Sequence, residues 1–130
     1  MRHSMISAGV PIDGVGFQSH LVVDQPIDMA SFRNNVLRFR NAGFAVYITE
    51  LDAWINTGDG VGPKKLEAQA SLYENFVRTA LDAGVDGINL WNLRDDDDRW
   101  VFIPGYSKQC LFDANGAKKP AYFGVQNALK

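Results

Sequence analysis

The sequence is poor in the features that mark several large protein classes. Cys110 is the only cysteine in 130 residues, so the chain can form neither an internal disulfide nor a zinc site built from several thiolates. No run approaches the roughly 18 apolar residues that a transmembrane helix needs. Thirteen Lys and Arg face fifteen Asp and Glu, without a basic stripe. We therefore expect neither a nucleic-acid nor a membrane partner.

The apolar content bounds the number of domains. Hydrophobic residues make up 46% of the chain, which is enough for one modest core and too little for two. Residues 1–130 are therefore interpreted as a single segment. The first residues, Met1-Arg2-His3-Ser4, precede no sustained apolar stretch, so no signal peptide is predicted in this chain.

Runs rich in β-branched and aromatic residues predict strands at 12–17, continuing toward His20, and at 45–50 and 87–91. A shorter candidate strand covers 110–112. Asp28 is a predicted cap for a helix that ends before Gly43. A longer helix runs from Pro63 to Gly84, and a last one begins at Pro120. The apolar positions with helical spacing are Met29, Phe32, Val36 and Phe39 in the first helix and Leu66, Ala70, Tyr73, Val77, Ala80 and Leu81 in the second.

Strands that alternate with helices indicate an α/β fold with parallel strands and right-handed crossovers. A doubly wound sheet and part of a (β/α)₈ barrel both fit this order. A complete barrel needs about 200 residues or more, so this chain cannot close one by itself.

The carboxyl ends of parallel strands are where functional residues collect in such folds. These ends carry Gln18-Ser19-His20, Glu50-Leu51-Asp52 and Trp91-Asn92. The period of two predicts that Glu50 and Asp52 share a face with Ile48, with Leu51 on the opposite face. His20 beside Glu50 would hold that carboxylate in place. On spacing alone, Glu50 is explained equally well as a solvated acid at the end of a strand. On the same ground, His20 is explained better as a structural residue that forms hydrogen bonds.

Three further patterns bear on ligand binding. Trp91 and Trp100 could form platforms for sugar rings, although a tryptophan in a small domain is more often part of the core. The run Asp95 to Asp98 lacks the ligand spacing and central glycine of a calcium loop, so a solvated loop is expected and no metal site. Gly14-Val15-Gly16 precedes a strand end and not a helix, so no nucleotide cofactor is predicted.

Taken together, the strand ends resemble the C-terminal part of a family 10 glycoside hydrolase, the β-1,4-xylanase barrel. Gln18-Ser19-His20 followed by Thr49-Glu50-Leu51-Asp52 is the specific part of this pattern. The similarity is collinear over nearly the whole chain. The remaining matching residues are Asp13 to Phe17, Leu21, Ile48, Gln69-Ala70, Tyr73, Trp91, Asp95, Trp100, Leu111 to Asp113 and Lys118 to Tyr122.

The resemblance implies that the chain is a partial TIM barrel, its strands being the sixth, seventh and eighth. It implies that Glu50 is the nucleophile of a retaining xylanase, supported by His20 and Asp52. Gln18, Trp91 and Trp100 would bind substrate, which would be xylan or a xylo-oligosaccharide. It implies no cofactor. The parent enzyme would be secreted, because xylan is an extracellular polymer.

The sequence departs from the family pattern in three places. The family's acid/base is a Glu after an Asn, and no Asn-Glu dipeptide is present. Trp91-Asn92 replaces the family's Trp-Gly, and the spacing from Trp91 to Trp100 is one residue longer than usual. We therefore expect an inactive fragment that associates with itself or with a complementary N-terminal half. The alternatives are a non-catalytic carbohydrate-binding piece, which would use Trp91, Trp100 and Tyr106, or a retaining β-glucanase of the same barrel clan.

Overall fold

The computed structural model describes residue 5 and residues 7–97 and 104–130. The predicted alternation of strands and helices is confirmed, with a fifth short strand near the end. The strands are β1 (Gly14–Phe17), β2 (His20–Val22), β3 (Ala45–Asn56), β4 (Gly87–Leu90) and β5 (Tyr106–Ser107). The helices are α1 (Met29–Arg40), α2 (Pro63–Asp82) and α3 (Pro120–Ala128).

β3 lies at the centre of a sheet that does not close. β1, β2 and β4 pair with it in parallel, and β5 pairs with its end in antiparallel orientation. β3 continues to Asn56, beyond the predicted end at residue 50, because β2 and β5 supply partners for its second half. The predicted first strand is divided between β1 and β2, since Ser19 adopts a left-handed φ of 68°.

A bulge corrects the expected alternation along β3. The register between β3 and β4 shifts between Ile48 and Leu51. Both side chains are fully buried in the same core cluster, together with Tyr73 and Phe76 of α2. The prediction that Ile48 shares a face with Glu50, opposite Leu51, is therefore wrong, because the extra residue interrupts the period of two.

The helix ends follow the capping residues. Asp28 accepts hydrogen bonds from the backbone N–H groups of Ala30 and Ser31, both at 3.0 Å. Gly43 and Gly84 adopt φ values of 83° and 82° after α1 and α2. Within the described ranges, no helix combines the length and apolar character that crossing a membrane requires.

The core lies between the sheet and the helices. The apolar positions predicted for α1 all belong to it, whereas Leu81 of α2 is exposed. α2 and α3 pack closely at Gly124, where an added Cβ would lie 2.3 Å from the carbonyl oxygen of Ala70. The segment 110–112 is not a regular strand: Phe112 forms isolated bridges with Arg94 and Lys118.

Candidate active site

His20 joins two carboxylates in the middle of β3, at the level where β1 and β4 end beside it. Its Nε2 lies 3.1 Å from Oε2 of Glu50, and its Nδ1 lies 2.9 Å from Oδ1 of Asp52. The Asp52 side chain is only 1% exposed, while those of Glu50 and His20 are 25% and 30% exposed. One carboxylate therefore anchors the imidazole, and the other stays open to a reacting molecule.

The backbone before β2 places the imidazole. Ser19 accepts a hydrogen bond from the N–H of Asp52 at 3.4 Å, and Gln18 accepts one from the N–H of Glu50 at 3.1 Å. The left-handed turn at Ser19 then sets His20 directly opposite Asp52 in the parallel register. The structure therefore brings together His20, Glu50 and Asp52, the three residues that the family resemblance groups. Gln18 contributes its carbonyl group to this arrangement and is itself exposed.

Trp54 is part of this cluster and was missed by the sequence analysis. Its indole Nε1–H donates a hydrogen bond of 2.9 Å to Oδ1 of Asp52, the same oxygen that contacts His20. Trp54 and Asp52 are two residues apart on one strand, so the alternation of side chains was a signal that could have found it.

Trp91 lies against the other side of the imidazole. The ring centroids of Trp91 and His20 are 5.8 Å apart and the rings are nearly perpendicular. Its backbone N–H donates to the carbonyl of Leu51 at 3.1 Å, which ties it to β3. With 39% of its surface exposed, Trp91 stays accessible to a ligand beside His20. Trp100, the other tryptophan proposed to bind substrate, lies outside the described residues.

Asp52 also affects Tyr73, a buried residue of α2. Burial raises the pKa of the Tyr73 hydroxyl well above its usual range, and the charge of Asp52 raises it further. The Tyr73 hydroxyl donates a 2.6 Å hydrogen bond to the carbonyl of Gln109. Tyr73 therefore remains a neutral donor beneath the site.

The acidic run after β4 is not the fully solvated loop that the sequence predicts. Asp95 is buried and its Oδ1 lies 3.0 Å from Nζ of Lys119. Burial lowers the pKa of Lys119, and the attraction of Asp95 opposes this shift. Asp96 and Asp97 pair with Lys108 and Arg94 at the surface. Asp98 lies outside the described residues.

The fold and the site together define a class: an α/β fold built on parallel strands, in which a histidine joins two carboxylates on the central strand. The chain belongs to glycosyl hydrolase family 10, whose family model matches residues 1–128. It is 38% identical to endo-1,4-beta-xylanase B of Thermotoga neapolitana over 133 aligned residues, covering all of this chain and 38% of that protein. It is 39% identical to the endo-1,4-beta-xylanase of Agaricus bisporus, covering 94% of this chain and 36% of that protein.

Solved xylanase structures have the same fold over nearly the whole chain. Xylanase 10B of Thermotoga petrophila, solved in complex with xylobiose, has a TM-score of 0.89 and 36% sequence identity. The match covers 99% of this chain and 39% of that one. The xylanase XylE of Penicillium canescens has a TM-score of 0.90 and 30% identity, covering 98% and 39%. The chain therefore spans well under half the length of the TIM-barrel xylanases that it matches.

Proposed function

We propose that this chain provides the nucleophile side of the active site of a secreted, retaining endo-β-1,4-xylanase. The observation that carries the proposal is the bridge from Glu50 through His20 to the buried Asp52. In this proposal, residues 1–130 are a C-terminal portion of the catalytic domain. β1 and β2 together form the sixth barrel strand, and β3 and β4 form the seventh and eighth.

Glu50 has the geometry of a nucleophile. Its carboxylate is partly exposed, and the bond to His20 fixes one of its oxygens. In the first step, this carboxylate attacks the anomeric carbon of a xylose unit and the bond to the leaving sugar oxygen breaks. The leaving oxygen takes a proton from a second carboxylic acid. Water then hydrolyses the covalent xylosyl-enzyme, with the second residue acting as the base.

The second carboxyl group is the part that this chain does not provide. In a retaining enzyme it lies about 5–5.5 Å from the nucleophile. The other glutamates of the chain, Glu67 and Glu74, belong to α2, on the helical layer. We therefore expect the remaining part of the barrel to supply the acid/base, and we expect no xylan hydrolysis by this chain alone.

Substrate contacts are proposed for the groups around Glu50. The exposed face of Trp91 would pack against a xylose ring beside the scissile bond, because an indole is flat and apolar with one polar edge. Gln18 and Trp100 complete the proposed substrate-binding residues. The xylobiose complex of the Thermotoga petrophila enzyme supports a xylo-oligosaccharide as the ligand class.

The test combines this chain with the N-terminal barrel segment of a family 10 relative. Release of reducing sugar from xylan is measured for the mixture and for each part alone. We expect activity in the mixture only, lost on Glu50→Gln and retained on the matched change Glu67→Gln, since Glu67 is exposed on α2. Equal activity of the two variants would refute the assignment of Glu50.

A second experiment tests Glu50 without relying on the acid. A xyloside with a strongly acidic phenol as the leaving group needs no protonation, so an active nucleophile is expected to release the phenol in the mixture. A 2-fluoro analogue of that substrate is expected to leave a covalent sugar on the chain, and peptide mass spectrometry should locate it on Glu50. A label on any other residue would contradict the mechanism.

A further inference from the structure

We propose that Trp54 is a positioning residue that sets the orientation and tautomer of His20 through Asp52. This inference rests on the proposed function for its catalytic meaning, but its geometry is independent of turnover. The contact that carries this role is the bond from Trp54 to Asp52, so Trp54 acts through another residue and not on the substrate.

The contact between Trp54 and Asp52 is built into the core. Trp54 is 2% exposed and Asp52 is fully buried. The indole Nε1–H and the imidazole Nδ1 each lie 2.9 Å from the same oxygen, Oδ1 of Asp52. A buried carboxylate is costly unless it is hydrogen-bonded, so the contacts with Trp54 and His20 stabilise it in this position.

The indole determines which group donates and which group accepts in this cluster. An indole N–H can only donate, so Asp52 must accept from Trp54. The bond from Trp54 holds Oδ1 of Asp52 in place beside the imidazole. A carboxylate oxygen accepts, so its bond to His20 requires a proton on Nδ1. The orientation of the ring then follows, because Nε2 is directed at Glu50. Without the indole, we expect Asp52 to turn and the preference for a proton on Nδ1 to weaken.

Nuclear magnetic resonance of the 15N-labelled chain tests this directly. The chain has two histidines, so a His3→Gln background leaves the ring of His20 alone. Long-range proton–nitrogen correlations report which ring nitrogen carries a proton, and they need no substrate. We expect the Nδ1 signal of the parent chain at the protonated position at alkaline pH. In Trp54→Phe, we expect it to shift toward the unprotonated position.

The control separates this role from simple packing. Phe76→Leu removes buried aromatic volume from the core without removing an N–H group. It is expected to lower the unfolding temperature and to leave the His20 signals unchanged. An unchanged His20 pattern in a folded Trp54→Phe chain would overturn the proposal, even if that chain were less stable.

Two further measurements keep the outcome decisive. If Trp54→Phe does not fold, Trp54 is replaced by benzothienylalanine, which has the same shape with sulfur in place of the N–H. The same shift of the Nδ1 signal is expected. An unprotonated Nδ1 in the parent chain would by itself refute the proposal. If Glu50 were not the nucleophile, these His20 signals would be unaffected. Failure of the proposed function can therefore be distinguished from failure of the proposal for Trp54.

Discussion

Asp95 and Lys119 form a buried ion pair that joins the loop after β4 to the residue before α3. Their charged atoms are 3.0 Å apart, and their side chains are 2% and 6% exposed. Lys119 also donates to the carbonyls of Lys108 and Cys110, at 2.6 and 2.9 Å. Asp95 accepts from the N–H of Cys110 at 3.0 Å. The pair therefore fixes the loop after β4 to the backbone at residues 108 and 110 and to the start of α3.

Removing one partner of this pair is expected to lower the free energy of unfolding more than removing both charges. Lys119→Met leaves the carboxylate of Asp95 buried without its cation, and we expect a loss of about 3–5 kcal/mol in the free energy of unfolding. The double variant Lys119→Met with Asp95→Asn should be more stable than Lys119→Met alone. Urea unfolding of the parent chain, the two single variants and the double variant gives the coupling energy between Lys119 and Asp95. A double variant that loses the sum of both single losses would contradict the pairing.

The cap of α1 gives a stability term that depends on pH. Hydrogen bonds from the side chain and then the backbone of Ser31 lower the pKa of Asp28. Its contribution is therefore present above the ordinary pKa of an aspartate and disappears as the pH falls through the lowered value. We expect Asp28→Ala to unfold at a lower temperature at pH 7, with a smaller difference in strong acid. Asp28→Asn keeps an acceptor and should lose less at pH 7; an equal loss would argue against the capping bonds.

The contact between α2 and α3 predicts the result of a small change. In Gly124→Ala, the new Cβ would lie 2.3 Å from the carbonyl oxygen of Ala70. We expect the separation of the helices to cost about 1–3 kcal/mol, more than the helix propensity of alanine recovers. Gly62→Ala is the matched control, because nothing lies within 4 Å of its added Cβ. Chemical unfolding compares the two, and equal stabilities would contradict the close approach.

The exposed face of Trp91 predicts an effect on binding. Trp91→Ala, in the chain assembled with the remaining barrel segment, is expected to weaken binding of xylo-oligosaccharides about tenfold, which corresponds to ~1.4 kcal/mol. Phe123→Ala removes another exposed aromatic side chain, on α3, and should leave binding unchanged. Calorimetric titration measures both. Equal affinities of Trp91→Ala and Phe123→Ala for the oligosaccharide would show that Trp91 does not bind substrate.

The sequence predicted the features that depend on local chemistry. Apolar spacing and the cap at Asp28 predicted α1, whereas the contact of His20 with Glu50 was implied only by the resemblance to family 10. The bulge after Ile48 and the left-handed Ser19 were missed, because neither residue type signals an irregular backbone. Residue type and spacing do not distinguish Asp95 from its acidic neighbours, and its match to the family pattern gave no sign that it is buried. The contact with the buried Lys119 selects this one carboxylate for the core.

Among the described strands, each of the other four pairs with β3 and with no other strand. β1 and β2 precede β3 along the chain, and β4 and β5 follow it, so no ladder can form before β3 is in place. The sheet has no independent half that could persist after β3 is lost, which favours cooperative unfolding. Because Glu50 and Asp52 lie on that strand, the bridge through His20 reports the folding of the whole sheet. When the sheet unfolds, the bridge through this one imidazole is therefore expected to be lost together with all four ladders.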